Sequence, residues 1–152
     1  MDGFHLANET LIDLGRRDRK GAPDTFDVDG FVALLERVAT STTVVYGPRF
    51  HRDIEEPVAG SIRIDPASPG VIVEGNYLLL DKDGWERVAP RLDAVWFVDT
   101  SVDECRRRLL LRAIETYGPE AGRKWVDEVD EPNARLVRDT RVRATRFVQY
   151  AR

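Results

Sequence analysis

The ten residues from Val71 to Leu80, Val-Ile-Val-Glu-Gly-Asn-Tyr-Leu-Leu-Leu, constrain this chain more than any other stretch. Val71, Ile72 and Val73 form an unbroken β-branched run, with Pro69 and Gly70 before it and Gly75 and Asn76 after it. An apolar run bounded by turn residues reads as a fully buried, central parallel strand. Glu74 sits at its carboxyl end, which is where open α/β sheets bind ligands. An unpaired carboxylate is costly inside a core. Glu74 therefore either lies just past the strand, in solvent or beside an arginine, or aims into a phosphate or metal site.

The flanking sequence alternates between helical and extended patterns. Leu6, Leu11, Ile12 and Leu14 have rough helical spacing, with Gly15 as a stop. The charged stretch from Arg16 to Asp27, broken by Gly21 and Pro23, reads as an exposed loop. Asp27 is placed to cap a helix over 28–39, whose apolar face is Phe31, Leu34, Leu35 and Val38. Thr43 to Tyr46 reads as a short strand ended by Gly47 and Pro48, with Phe50 to Asp53 in a loop. Val58 to Ile64 suggests a small edge strand, and Trp85 to Val88 a short helix. Ala94 to Val98 reads as a second buried strand closed by Asp99. Ser101 and Glu104 have capping-box spacing for a helix that ends at Gly118 and Pro119. Helices over 120–129 and from Pro132, then an edge strand at Phe147 to Tyr150, complete the pattern. Strands alternating with helices predict an α/β fold with a mostly parallel sheet.

With 152 residues the chain suits one compact domain, and 42% hydrophobic with 33% charged residues suits a globular one. The net charge of -4 argues against general affinity for nucleic acid or anionic membrane. The arginines from Arg135 to Arg152 alternate with Glu131 and Asp139, which reads as a salt-bridged surface helix rather than an RNA-binding face. The single Cys105 excludes an internal disulfide and fits a reducing cytoplasm. Its place on a helix suits a buried thiol better than a nucleophile, although neighbouring arginines would favour its thiolate. No run approaches the ~20 apolar residues of a membrane span. His5 and His51 lack zinc-site spacing.

Asp2, Glu74 and the Arg108/Arg112 pair stand apart. The two arginines are four apart and share a helical face. Phosphoryl transfer uses such a set: a carboxylate accepts the proton of the attacking hydroxyl, a second carboxylate partners Mg²⁺, and arginines neutralise the moving phosphoryl group. Each feature also has an ordinary reading, as a turn-forming acid or a solvated helical face.

Several motifs occur together and in order: Met-Asp-Gly-Phe-His-Leu at the start, Arg-Lys-Gly-Ala-Pro-Asp-Thr-Phe-Asp at 19–27, Glu-Glu-Pro at 55–57, Val-Glu-Gly-Asn-Tyr-Leu-Leu-Leu at 73–80 and Asp-Glu-Pro-Asn-Ala-Arg-Leu-Val at 130–137. In these the whole chain resembles the P-loop kinases grouped with uridine kinase, phosphoribulokinase and bacterial pantothenate kinase. The resemblance implies a P-loop NTPase-like three-layer α/β sandwich, spanning 1–152 as a single domain, that uses ATP and Mg²⁺ and a small-molecule acceptor. It implies that Asp2 is the base, Glu74 the Mg²⁺ partner, and Arg108 and Arg112 the phosphate clamp on a lid helix. It implies an acceptor pocket of His5, Lys20, Phe26, Asp27, Tyr46, His51, Arg52, Asn76 and Tyr77. His51 stands where close relatives are expected to carry an aspartate.

The family's Gly-x-x-x-x-Gly-Lys-Ser/Thr loop does not occur in these 152 residues. Without it the backbone amides, lysine and hydroxyl that cradle phosphates and Mg²⁺ are missing. The expectation is an amino-terminally incomplete kinase domain with little or no activity by itself, or a small-molecule-binding relative that has lost ATP turnover. The lost strand would leave an unpaired edge, which predicts self-association, for example as a homodimer.

Overall fold

The computed structural model describes residues 1–149. They form two compact units, one from Met1 to Leu92 and one from Asp93 onward.

The first unit is built around two helices and a hairpin. A single 3-10 turn at Asp2–Phe4 leads into α1 (Asn8–Asp13), which ends at Gly15 with φ 65°. The helix α2 (Val28–Thr40) starts as its cap predicts: the Asp27 carboxylate accepts from the Gly30 amide at 2.8 Å. It buries Phe31, Val32 and Leu35. The strands β1 (Val45–His51) and β2 (Glu56–Ile64) pair antiparallel, from Val45 opposite Ile64 to His51 opposite Glu56. Gly47 and Pro48 do not end β1, because the register shifts between Gly47 and Arg49 and the irregularity absorbs the proline's missing donor. Phe50 and His51 are therefore strand residues rather than loop residues.

The Arg16–Asp27 stretch is more than an exposed loop. It contains short 3-10 turns at Arg17–Arg19 and Pro23–Thr25, and Thr25 and Phe26 are buried. The Tyr77 hydroxyl donates to the Gly21 carbonyl at 2.6 Å, and the Trp85 indole to the Pro23 carbonyl at 3.2 Å. Those two rings form a cluster with Phe26 and Phe31, with centroids 5.4 to 6.1 Å apart. Aromatic pairs at such separations add to the area they bury.

The run from Val71 is the main departure from expectation. It forms no strand, and Ile72 is 98% exposed. A run this apolar becomes a central strand only when neighbours supply its ladders. Among the described residues no strand pairs with it, and the Met1 amine donates to the Glu74 carbonyl at 2.6 Å. Burial begins one step later, at Tyr77, Leu78, Leu79 and Leu80.

In the second unit, β3 (Trp96–Asp99) pairs parallel with β4 (Arg146–Gln149). Of the two described sheets, then, one is parallel and one antiparallel. The strand β3 is not buried as expected: Trp96 and Val98 are each 60% exposed, since among the described residues β3 pairs with β4 alone. Tyr150 lies outside the described residues. The helix α3 (Val102–Tyr117) is capped by the Ser101 hydroxyl, which accepts from the Glu104 amide at 3.4 Å, and it stops at Gly118 with φ 84°. The expected helix at 120–129 divides into α4 (Pro119–Trp125) and a π turn at Val126–Asp130, which leads into α5 (Glu131–Asp139). Gly122 lets α4 approach α3 closely, because a Cβ there would lie 2.6 Å from the Ala113 carbonyl carbon. No described helix is long and apolar enough to cross a membrane.

Candidate functional site

The hairpin and the Asp2–Phe4 turn bring Asp2 together with four of the expected acceptor residues, His5, Lys20, Phe26 and Arg52. Gly3 makes this possible: a Cβ on it would lie 2.3 Å from the Pro48 carbonyl oxygen, so only glycine seats the turn against β1. The turn presents Asp2, whose carboxylate accepts from the Arg52 guanidinium at 3.3 Å. His5 follows, bridged to Phe26 through the backbone, with its ring 4.0 Å from Phe26 and 5.0 Å from Phe50. Its Nδ1 lies 2.8 Å from the Asp2 carbonyl oxygen. Burial holds the His5 imidazole below its ordinary value, against the raising influence of the Asp2 carbonyl and carboxylate, while Lys20 and Arg52 lower it further.

Phe50 is the hub of the cluster. The Lys20 ammonium lies 5.1 Å and the Arg52 guanidinium carbon 5.9 Å from its ring centroid, within cation–π range. The cluster thus combines an exposed carboxylate, cations and aromatic faces.

Lys20 is engaged by protein rather than open to a ligand. Its side chain is 7% exposed. Its ammonium donates to Asn8 Oδ1 at 2.7 Å and to the Glu55 carbonyl at 2.7 Å, and Glu56 Oε2 lies 3.9 Å away. Desolvation pulls the amine below its ordinary value; Glu56 opposes this, Arg17 lowers it further, and Glu55 opposes it too.

The other expected acceptor residues are placed differently. Asp27 serves as the α2 cap, and Tyr77 is buried with its hydroxyl on Gly21. Tyr46 is 53% exposed on β1. Glu74 is exposed on the unpaired run, and Asn76 is exposed in the turn that follows it. His51 has Nδ1 4.0 Å from Asp53 Oδ1, while its Nε2 is buried without a hydrogen-bond partner among the described residues. Phe50 and Asn8 were not singled out as site residues by sequence, and Glu56 was read only as part of the Glu-Glu-Pro motif at 55–57, with no role attached. Phe50 carried one usable signal, an aromatic directly before His51-Arg52. Asn8 carried none, and its contact with Glu56 was not legible because the two lie 48 residues apart.

In the second unit Arg108 and Arg112 are both held by acids. Arg108 Nε donates to Glu104 Oε1 at 2.6 Å, and Arg112 lies 3.7 Å from Asp130 Oδ2. Arg107 and Arg108 together pull the Glu104 carboxyl down to about 2. Burial pushes the Asp130 carboxyl up, against Arg112 and the Trp125 hydrogen bond. Arg106 bridges Asp127 and Glu131; of the arginines from Arg135 onward, Arg135 joins Glu131 along the helix as the alternating charges predict, whereas Arg141 pairs with Asp99 of β3.

Among the described residues no three His, Cys, Asp or Glu side chains converge as a metal cage. Mg²⁺ commonly takes one or two carboxylates and completes its shell with phosphates and water. Of the residues expected in that role, Glu74 offers one exposed carboxylate. For the phosphates of ATP these residues offer no glycine-rich cradle, and no step through them follows from this chain.

No family model matches the chain. It is 34% identical over 122 residues to an ATP-dependent kinase-like protein of Aspergillus versicolor, covering 75% of this chain and 71% of that protein. It is 27% identical over 184 residues to the ATP-dependent kinase YFH7 of Zygosaccharomyces rouxii, covering 97% of this chain and 49% of the relative. Against a candidate uridine kinase of Schizosaccharomyces pombe the identity is 32%, covering 74% of this chain and 50% of that one. Apart from the Aspergillus protein, the chain spans about half the length of these curated relatives. The crystal structure of a candidate fructose transport system kinase from a Silicibacter species superposes with a TM-score of 0.90 at 32% identity, covering 97% of this chain and 72% of that one. The structure of Saccharomyces cerevisiae YFH7, described as a candidate P-loop kinase with a circular permutation, has a TM-score of 0.85 at 22% identity and speaks to the fold alone. That fold is α/β and P-loop NTPase-like.

Proposed function

Since the chain belongs to the P-loop kinase family, we propose that its first unit is the acceptor site of an ATP-dependent kinase that phosphorylates a hydroxyl of a small molecule. The observation that carries this reading is the convergence of Asp2, Arg52, His5 and Phe50 at one hairpin. Asp2 accepts the proton of the attacking hydroxyl. Arg52 orients that carboxylate, and the aromatic faces of His5 and Phe50 exclude water from one side of the acceptor. In the first unit Glu74 would be the carboxylate available to a Mg²⁺ ion, which would neutralise phosphate charge; in the second unit, taken by itself, Arg108 and Arg112 are the proposed phosphate contacts, each paired with a carboxylate in this structure. Bound MgATP supplies the γ-phosphoryl group. The relatives' names suggest a nucleoside or a sugar as the acceptor, and a pantothenate-like alcohol belongs to the same chemical class.

The test offers uridine, D-fructose and pantothenate, each with ATP and Mg²⁺, to the protein purified from its native source. One of them is expected to be phosphorylated. Asp2→Asn is expected to lower kcat by about 10²-fold or more, the range of a lost general base, with KM little changed. An unchanged kcat in Asp2→Asn, or no transfer to any of them, would refute the reading. The 152 residues alone are expected to show no turnover, and ATP-dependent phosphorylation by them would overturn that part.

A further inference from the structure

Lys20 stands where an acceptor contact is expected, yet its ammonium faces protein acceptors on three sides. Asn8 Oδ1 and the Glu55 carbonyl oxygen each accept at 2.7 Å, and the Glu56 carboxylate is 3.9 Å away. An ammonium has three donors and no acceptor, so little capacity is left for a ligand. The groups it joins are not neighbours in sequence. Asn8 begins α1, and Glu55 and Glu56 close the β1–β2 hairpin. Two further contacts run between the same elements. The Asn8 amide donates to both Glu56 carboxylate oxygens, at 2.9 and 3.2 Å, and the Asn8 side-chain amide donates to the Glu55 carbonyl at 3.3 Å.

Glu55 has φ 52°, a left-handed conformation that non-glycine residues seldom adopt and that persists only where surroundings hold it. Its carbonyl is the one on which Lys20 and Asn8 converge. The same hairpin tip carries Arg52, whose pair with Asp2 is solvent-exposed and so too weak to fix the tip unaided.

We propose that Lys20 is a positioning residue: with Asn8 it latches the β1–β2 tip to the start of α1 and thereby holds Arg52 against Asp2. The functional meaning of the latch rests on the reading of Asp2 as the base. The latch itself does not, and its test needs no acceptor.

The experiment is NMR on the 152-residue chain, comparing wild type with Lys20→Met, Lys20→Arg and Asn8→Ala. Amide exchange at Asn8 and Glu56 is expected to rise about tenfold or more in Lys20→Met, while the α2 amides of Val32 and Leu35 keep their protection. Lys20→Arg, which retains a cation, is expected to recover most of the protection. The Arg52 guanidinium ¹⁵N signals report positioning directly: Asp2→Asn shifts them in wild type, and that response disappears in the Lys20→Met background. If Lys20→Met does not fold, Asn8→Ala carries the same expectation. Wild-type exchange at the tip, or an intact Arg52 response, would overturn the proposal. So would loss of protection spread equally over α2, which would make Lys20 a general support. An acceptor that fails to bind a latched hairpin would count against the acceptor reading, not against the latch.

Discussion

Gly3→Ala tests how the turn that carries Asp2 is seated. The added Cβ would lie 2.3 Å from the Pro48 carbonyl oxygen, 2.6 Å from its carbonyl carbon and 3.0 Å from the Arg49 amide nitrogen. All three are backbone atoms of β1, so no side chain can swing aside. Either the turn lifts away or the bulge at Pro48 is lost. Overpacking costs about 1–3 kcal/mol, and a backbone obstacle puts this case near ~3 kcal/mol. With a urea m-value of about 1.5 kcal/mol/M, the unfolding midpoint falls by about 2 M. Gly15→Ala is the control: φ is 65° there, but no atom lies within 4 Å of the new Cβ. Only left-handed strain applies at Gly15, about 1 kcal/mol. Urea unfolding followed by tryptophan fluorescence measures both. A Gly3→Ala loss of less than about 0.5 kcal/mol, the range of an inert surface change, would refute the close seating, as would equal losses at the two glycines.

Three other outcomes follow from the same contacts. Tyr77→Phe removes the hydroxyl from the Gly21 carbonyl and leaves a part-buried acceptor unpaired, so thermal or urea unfolding should show a loss of about 1–2 kcal/mol. Asp27→Ala uncaps α2 and is expected to cost about 1 kcal/mol, read from the same transition; no change would mean that the Gly30 amide finds another acceptor. Burial lowers the folded-state value of His5 below 6.5, so the unfolded chain takes up the proton first. The stabilisation from a neutral His5 is complete above that value, falls as pH drops below it, and stops falling once the folded ring is protonated too. His5→Gln should flatten the stability profile as pH falls below 6.5, and an unchanged slope would assign it to other groups.

Local rules carried far in this chain where the partner was close in sequence. The Asp27 cap, the Ser101 cap and the Gly15 and Gly118 stops all involve groups within a few residues of each other. Gly47-Pro48 misled because that pair usually stops a strand, and only a facing β2 allows the bulge that keeps it in β1. Val71 to Val73 misled because strand formation depends on neighbours, and β-branched residues alone do not supply a ladder. In the site, Asp2 and Arg52 were legible as chemical types, while their pairing depends on 50 residues of intervening fold. Lys20 was legible as a pocket residue but not as a saturated one, because its partners Asn8 and Glu55 lie 12 and 35 positions away.

The most direct test of the acceptor site is a titration of the 152-residue chain with uridine, D-fructose and pantothenate, followed through the ring signals of His5 and Phe50 and the guanidinium signals of Arg52. The account predicts that one compound moves these signals together along a single saturable curve, with Asp2→Asn retaining the binding. Saturable shifts confined to residues away from this cluster, or none with any of the compounds, would contradict it.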